Sequence, residues 1–252
     1  MCRLLAYIGP STTLHALLYE SAHSLHEQSW APTAQRSGVV NADGVGVGWY
    51  DLERRPEPAR YRAARPMWAD RSLASLAGVV ASTAVLAAVR SATPPSPSEE
   101  SSTSPFTDGP WLFAHNGSVD GFRSGVGTRL RRSLSERRDA GIVGTSDSEV
   151  LFALFLDRVD AGMPAREALA SVVDAVDAEE GGHLTMVAMD GRRLVAVAAG
   201  DSLHLRTTGA AVIAMSEPHD DDAGWESVPD ASLVEATPGD VTCTALHRKG
   251  TA

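Results

Sequence analysis

Hydrophobic and polar residues follow one another along this chain in short blocks, a pattern that predicts many strands. Apolar runs of about four to eight residues, bounded by glycine, proline or polar clusters, are typical of buried strands. We predict strands at 4–8, 45–50, 85–90, 111–115, 184–189, 193–199, 203–207, 211–215, 233–237 and 241–246. The first is expected to stop at Gly9-Pro10, and the last two to form a hairpin around Pro238-Gly239-Asp240.

Helical periodicity is confined to a few segments, at 14–20, 73–80, 147–160 and 164–178. Ser146 is placed to cap the third helix, with Glu149 in the position of a capping box, and Pro164 fits the first turn of the fourth. Strands and helices come in blocks and do not alternate strictly. This order favours two sheets with helices outside them over a doubly wound parallel sheet.

The chain has 252 residues, and we expect one domain over 1–252. Residues 93–110 differ in composition, with five prolines and many serines and threonines. We interpret them as a long loop inside the domain, because the strand at 111–115 resumes at once. Loops of more than about 12–15 residues are often functional.

Charge and composition exclude several classes of protein. The net charge of −10 argues against a nucleic-acid partner held by phosphate neutralisation. No apolar run reaches the ~18 residues that cross a bilayer, and the first residues lack the features of a signal peptide. Two cysteines, Cys2 and Cys243, cannot form a disulfide framework for this length. We therefore expect a soluble cytoplasmic protein without a membrane partner.

Cys2 is the first candidate for chemistry. If Met1 is removed, the thiol and a free α-amine share one residue, and an α-amine pKa near ~7.7–8.0 lets that amine accept a proton near neutral pH. One residue then supplies both nucleophile and base. The alternative is a buried cysteine that packs at the start of a strand.

Three other segments carry groups suited to a glutamyl substrate. Arg90, close to Thr93, can fork onto a carboxylate, although a structural ion pair is the alternative. Asn116 and the backbone N–H of Gly117 can stabilise an oxyanion, although Asn-Gly is also a common turn. Asp147 can hold an ammonium group or cap a helix.

Four motifs, taken in chain order, resemble those of the class II glutamine amidotransferases of the N-terminal-nucleophile hydrolase superfamily. They are Met1-Cys2, Arg90-x-x-Thr93, His115-Asn116-Gly117 and Ser146-Asp147-Ser148-Glu149. The resemblance implies an α+β fold, a four-layer αββα sandwich. Within that superfamily, segments 41–50, 61–68 and 89–94 are similar to the stand-alone EgtC-type hydrolases of ergothioneine biosynthesis, which remove glutamate from γ-glutamyl-hercynylcysteine sulfoxide.

The resemblance also implies a role at each matching position. Cys2 would be the nucleophile, and its α-amine the base and later the acid. Asn116 and Gly117 would stabilise the oxyanion. Arg90, helped by Thr93, would bind the α-carboxylate of the glutamyl group, and Asp147 its α-ammonium. The substrate would be a small γ-glutamyl molecule, and no cofactor or metal is implied.

Two departures and two rival functions stay open. Asn41 stands where many glutamine-channelling relatives have arginine, so the role of that arginine near the thiol is in doubt here. The length leaves no room for a synthase domain, which favours hydrolysis over ammonia supply. The rivals are a glutaminase or glutathione-type γ-glutamyl hydrolase that works with a partner protein, and a non-catalytic interaction subunit. A homo-oligomer also stays open.

A hercynyl leaving group carries a trimethylammonium, which aromatic faces and acidic patches attract. The acidic patch would be Asp220-Asp221-Asp222, with a plain charged loop as the alternative. The aromatic candidates are Trp30, Trp49, Tyr50, Trp68, Trp111 and Trp225, for each of which core packing is the alternative.

The cluster 129–138 is expected to be a solvated arginine-rich helix face.

Overall fold

The computed structural model describes residues 2–35, 38–92 and 99–248. Its strands are β1 (Arg3–Thr13), β2 (Gly44–Trp49), β3 (Ala59–Ala63), β4 (Ala81–Arg90), β5 (Phe106–Asp108), β6 (Trp111–Val119), β7 (Gly182–Met189), β8 (Leu194–Ala198), β9 (His204–Thr208), β10 (Ala211–Met215), β11 (Glu226–Ser227), β12 (Ser232–Thr237) and β13 (Asp240–Ala245). They form a seven-stranded sheet in the order β11-β9-β10-β1-β4-β2-β3 and a six-stranded sheet in the order β13-β12-β8-β7-β6-β5. Neighbouring strands are antiparallel.

The α-helices are α1 (Leu25–Gln28), α2 (Arg71–Ala77), α3 (Val126–Arg132), α4 (Glu136–Ala140), α5 (Asp147–Asp160) and α6 (Ala165–Asp177). A π-helical turn covers Ala16–Glu20, and 3-10 turns cover Met67–Ala69, Glu100–Ser102 and Phe122–Ser124. Across the described ranges, no helix combines the length and apolar character needed to span a bilayer.

Alternation along the strands sorts side chains into layers. On β1, Leu4, Ala6 and Ile8 pack between the two sheets, whereas Leu5 and Tyr7 pack on the outer face of their sheet. The outer face of the seven-stranded sheet is covered by the first helical segments, and the outer face of the other sheet by α5 and α6. The predicted αββα sandwich is confirmed.

The ten predicted strands are present, but two of them, β1 and β6, end later than predicted. β1 does not stop at Gly9-Pro10; it continues to Thr13 with an irregular register between Ile8 and Thr12. A bulge tolerates a proline, which has no N–H to donate. β6 runs through Asn116-Gly117 to Val119, so this dipeptide lies inside a strand and is not a turn.

The predicted loop 93–110 is in part ordered structure. Residues 93–98 lie outside the described residues, but the remainder holds the turn Glu100–Ser102 and strand β5, which pairs with β6. Glycines on β2 let this segment approach: a Cβ on Gly46 would lie 2.1 Å from the carbonyl oxygen of Ser104. Because Gly46 has no side chain, the backbone of residues 104–105 can lie directly against β2.

Helix α5 begins at Asp147 as predicted, but Glu149 has a different role from the predicted one. The Ser146 hydroxyl accepts a hydrogen bond from the N–H of Ser148, as an N-cap does. Glu149 does not form the capping box. Its carboxylate accepts hydrogen bonds from the N–H groups of Val143 and Gly144, at 2.8 and 2.6 Å, and so fixes the loop before the helix. Pro164 is the N-cap residue of α6, one position before the first turn.

The arginine cluster at 129–138 is only partly solvated. Arg129 and Arg131 are exposed and pair with surface carboxylates, as expected for a solvated face. Arg138 is buried instead, because Asp108 and Asp160 both compensate its charge at 2.9 and 2.6 Å.

Candidate active site

The strand register brings three predicted site residues to one end of the space between the sheets. Arg3 on β1 lies opposite Val89 on β4, so Cys2 and Arg90 are neighbours at the end of that ladder. Both alternate with residues of the inter-sheet core, Leu4 and Ala88. On β6, Asn116 shares this face with the core residue Ala114.

A cleft of about 280 Å³ opens at this end of the sandwich. The residues that line it include Cys2, Arg90, Gly117 and Asp147, together with Ser102 and Ser104 from within the segment 93–110. Four of the six predicted site residues thus meet in one cavity. Thr93 lies outside the described residues, and Asn116 lies behind the lining.

Asn116 is fully buried, and its polar atoms are unusual. Neither Nδ2 nor Oδ1 has a hydrogen-bond partner within the described part of the chain. A buried amide without partners costs free energy, about 1–3 kcal/mol for each unsatisfied group. An oxygen atom of a bound substrate would relieve this cost for Nδ2.

Gly117 follows in a conformation that only glycine adopts easily, with φ of 148°. A Cβ at this position would lie 1.9 Å from the carbonyl oxygen of His183 on the neighbouring strand. Both the backbone angle and the packing therefore require glycine. The absence of a side chain leaves the backbone of β6 open to the cleft.

Asp147 also lines the cleft, at the first residue of α5. One carboxylate oxygen, Oδ2, accepts a hydrogen bond from the N–H of Val119 at 3.0 Å. The other, Oδ1, accepts from the N–H of Ser148 at 2.7 Å. The carboxylate thus joins the end of β6 to the start of α5, and helix capping is a real part of its role.

His115 is held in a fixed orientation and does not face Cys2 as a base. Its Nε2 lies 2.9 Å from the carbonyl oxygen of His183, which can only accept, so Nε2 carries the proton. The Nδ1 atom lies 3.0 Å from the Ser148 hydroxyl and can accept its proton. These two contacts fix the His115 ring between β6 and α5.

A buried ion pair supports the backbone of Cys2, and the sequence alone did not indicate it. The Arg3 guanidinium donates to the carbonyl oxygen of Cys2 at 2.9 Å and pairs with Glu217, which is fully buried. Burial alone would raise the pKa of Glu217, but hydrogen bonds from His23 and Thr33 and the charge of Arg3 lower it below its ordinary value.

A family model described as "Glutamine amidotransferases class-II" matches residues 12–208. The chain belongs to this family. Gamma-glutamyl-hercynylcysteine sulfoxide hydrolase from Mycobacterium tuberculosis is 39% identical over 248 residues, covering 98% of each chain. The protein of that name from Mycolicibacterium smegmatis is 38% identical over 98% of this chain and 100% of its own. A glutamine aminotransferase class-II domain protein from Silicibacter pomeroyi shares the fold, with a TM-score of 0.72 at 24% identity over 98% and 100% of the two chains.

Asn41 has a structural place in this class II amidotransferase. It is fully buried, and its Nδ2 donates to the Gln28 carbonyl oxygen at 3.0 Å and to the Gln35 side chain at 2.9 Å. These bonds connect two loops next to β2. Asn41 does not line the cleft, so it does not supply a charge to it.

The predicted leaving-group residues of this amidotransferase do not line the cleft. The only aromatic carbocycle in the described lining is Phe122, and none of the six tryptophan and tyrosine candidates belongs to it. Trp30 and Trp68 stack edge to face elsewhere, and Trp225 packs beside Arg206. Asp220 accepts hydrogen bonds from Arg206 and Trp225, so the acidic patch is part of a surface network away from the cleft.

Proposed function

We propose that this chain hydrolyses the γ-glutamyl amide bond of γ-glutamyl-hercynylcysteine sulfoxide, giving glutamate and hercynylcysteine sulfoxide. The observation that carries the proposal is the 39% identity to an enzyme of that name over 98% of both chains. The proposed activity is an amidohydrolase reaction.

Cys2 is the nucleophile in this proposal, after Met1 has been removed. The α-amine takes the thiol proton, and the sulfur attacks the γ-carbonyl carbon of the substrate. The carbonyl electrons move to oxygen and form a tetrahedral oxyanion. The unpartnered Asn116 Nδ2 and the backbone N–H of Gly117 stabilise that oxygen, where charge develops only during the reaction.

Collapse of this intermediate breaks the carbon–nitrogen bond. The α-ammonium of Cys2 returns its proton to the departing amine, and a glutamyl thioester remains on the sulfur. Water then attacks the thioester and gives a proton to the α-amine. The second oxyanion collapses, the thiolate leaves and is reprotonated, and glutamate is released.

Two charged residues position the glutamyl group in this scheme. Arg90, with Thr93, pairs with the α-carboxylate, and Asp147 holds the α-ammonium. The two oxygens of Asp147 already accept one backbone hydrogen bond each, but a carboxylate has about four acceptor positions. Capping of α5 and binding of an ammonium group are compatible.

The substrate class is tested by measuring glutamate release from three compounds with the purified protein. We expect kcat/KM for γ-glutamyl-hercynylcysteine sulfoxide to exceed that for glutamine and glutathione by at least about ten-fold. A preference for glutamine or glutathione would contradict the proposal and favour the rival γ-glutamyl hydrolase. Release from none of the three would favour the non-catalytic subunit, and an intact Met1 in that sample would explain it.

A further inference from the structure

A second cavity of about 270 Å³ lies at the sheet edge on the other side of residues 101–106. Its floor is apolar and includes the buried rings of Phe106 and Phe152. Its mouth is basic, because Arg60 and Arg62 project from the same face of edge strand β3. Neither the proposed reaction nor the family resemblance uses this cavity.

The carboxylates around this cavity are engaged with other groups. Both oxygens of Glu149 accept backbone hydrogen bonds from the loop before α5. Asp108 and Asp160 pair with Arg138 at 2.9 and 2.6 Å. The nearest carboxylate to Arg62 is Glu100, which is exposed and 3.9 Å away. Glu100 therefore offsets the charge of Arg62 only from the solvent side, where an exposed ion pair is weak.

Arg62 itself is mostly buried, with 13% of its side chain exposed. Its Nη1 donates to the carbonyl oxygen of Thr103 at 3.2 Å, but its buried Nε has no partner among the described residues. Loss of hydration lowers the pKa of Arg62. A guanidinium that has lost water and keeps an open donor is suited to an incoming anion.

Arg60 lies at the mouth, two residues along the strand. Its Nη1 donates to the carbonyl oxygen of Pro105 at 3.2 Å, and no carboxylate of the described chain lies within ion-pair distance of it. Although Arg60 is exposed, loss of hydration on its inner side and then the charge of Arg62 lower its pKa to about 10. Arg60 and Arg62 repel each other, and the exposed Glu100 offsets part of this repulsion.

We propose that this cavity binds a small organic anion, with a carboxylate or phosphate between Arg60 and Arg62 and an apolar part on Phe106 and Phe152. The planar guanidinium groups match the two-oxygen geometry of either anion. The apolar floor favours a ligand with a ring or short chain over inorganic phosphate. The site is separate from the cleft, so it does not depend on the proposed reaction.

Phenyl phosphate and benzoate are suitable probes, because each combines an aromatic ring with an anion of one of the two kinds. Binding to the full-length protein is measured by isothermal titration calorimetry, with inorganic phosphate and phenol as the two partial ligands. We expect at least one complete probe to bind at least about ten-fold more tightly than either partial ligand. Equal binding of inorganic phosphate and phenyl phosphate would contradict the role of the apolar floor.

Variants locate the site. Arg60→Gln combined with Arg62→Gln should weaken the tighter probe by at least about ten-fold. The matched control is Arg54→Gln combined with Arg55→Gln, which removes the same charge from an exposed turn outside the cavity and should leave the affinity unchanged. Arg90→Gln should also leave it unchanged. Equal loss in the control pair, or loss only in Arg90→Gln, would overturn the proposal.

A crystal of the wild-type protein soaked in the same probe gives a test that does not depend on how a variant folds. We expect the anionic group within hydrogen-bond distance of both Arg60 and Arg62 and the ring against Phe106. A cavity without the probe, at a concentration that saturates the solution binding, would overturn the proposal. A probe bound only in the cleft beside Arg90 would do the same.

Discussion

The two walls of the cleft differ in how their polar groups are satisfied. The sheet wall is formed by the ends of β1, β4 and β6, and its Asn116 is fully buried with no partner for either side-chain polar atom in the described chain. The helix wall is formed by the start of α5. There both oxygens of Asp147 accept backbone hydrogen bonds, and Ser148 contacts His115.

This difference distinguishes residues that await a ligand from residues that also hold the structure. An unpartnered buried amide reduces stability, so its presence is explained best by a bond formed during the reaction. A carboxylate that already joins a strand to a helix contributes to stability before any substrate arrives. Substitution of Asn116 should therefore lower activity without a loss of stability, whereas substitution of Asp147 should change both activity and stability.

The largest expected effect is on Cys2, at the end of the sheet wall. Cys2→Ala should lower kcat by at least about 10⁴-fold, because the variant has no nucleophile, and should leave the unfolding midpoint nearly unchanged. The matched control is Cys243→Ser, which changes the other cysteine, exposed on β13, and should keep full activity. Turnover by Cys2→Ala at the wild-type rate would remove Cys2 from the mechanism.

The next effect concerns the amide of the same wall. Asn116→Ala should lower kcat by about 10²–10³-fold with little change in KM, as loss of an oxyanion donor does. Its unfolding free energy should not fall, because no internal hydrogen bond is lost and two unsatisfied buried polar atoms are removed. Urea denaturation and steady-state kinetics measure the two quantities. A large loss of stability would mean that the amide has a structural partner.

Asp147 should show the opposite combination on the helix wall. Asp147→Asn keeps an acceptor for the helix start but loses the charge, so KM should rise about ten-fold with a modest change in stability. Asp147→Ala removes both and should also cost about 0.5–2 kcal/mol of unfolding free energy. If both variants had wild-type KM and only the alanine variant were less stable, Asp147 would be a helix cap alone.

The smallest expected effect is a pH-dependent change in stability at the buried ion pair of Arg3 and Glu217, which supports the backbone of Cys2. The pKa of Glu217 is lower in the folded chain than its ordinary value of 4.5, so folding favours its charged form. The stabilisation is complete above about pH 4.5 and is lost as the pH falls through the folded pKa. The difference in unfolding free energy between wild type and Glu217→Gln should therefore narrow as the pH falls below about 4.5. A gap that is constant with pH would contradict this assignment.

Local patterns predicted much of the fold. The apolar run of β10 and the periodic segment of α5 have the bounds 211–215 and 147–160 that the sequence indicates. Each is a regular pattern between clear stop signals. β3 was missed, because its sequence Ala-Arg-Tyr-Arg-Ala places two arginines on the face where a strand usually carries apolar residues. Those arginines lie at a sheet edge, where they reach solvent and the 103–105 carbonyl groups.

Contacts between distant residues could not be predicted in the same way. Arg3 and Glu217 lie near opposite ends of the chain, and neither has a local pattern that indicates a buried ion pair. The role of Ser102 and Ser104 in lining the cleft depends on β2 glycines that let the backbone approach. The site residues were found through motif resemblance, whereas their separation into unpartnered and partnered groups required the packed structure.

In the proposed mechanism Cys2, with a free α-amine, carries the glutamyl group during turnover. The most direct test is mass spectrometry of the protein quenched during reaction with γ-glutamyl-hercynylcysteine sulfoxide, followed by peptide mapping. We expect a mature chain without Met1 and a mass increase of one glutamyl group on the peptide that begins with Cys2. An active enzyme that retains Met1, or an adduct found on Cys243 and not on Cys2, would contradict it.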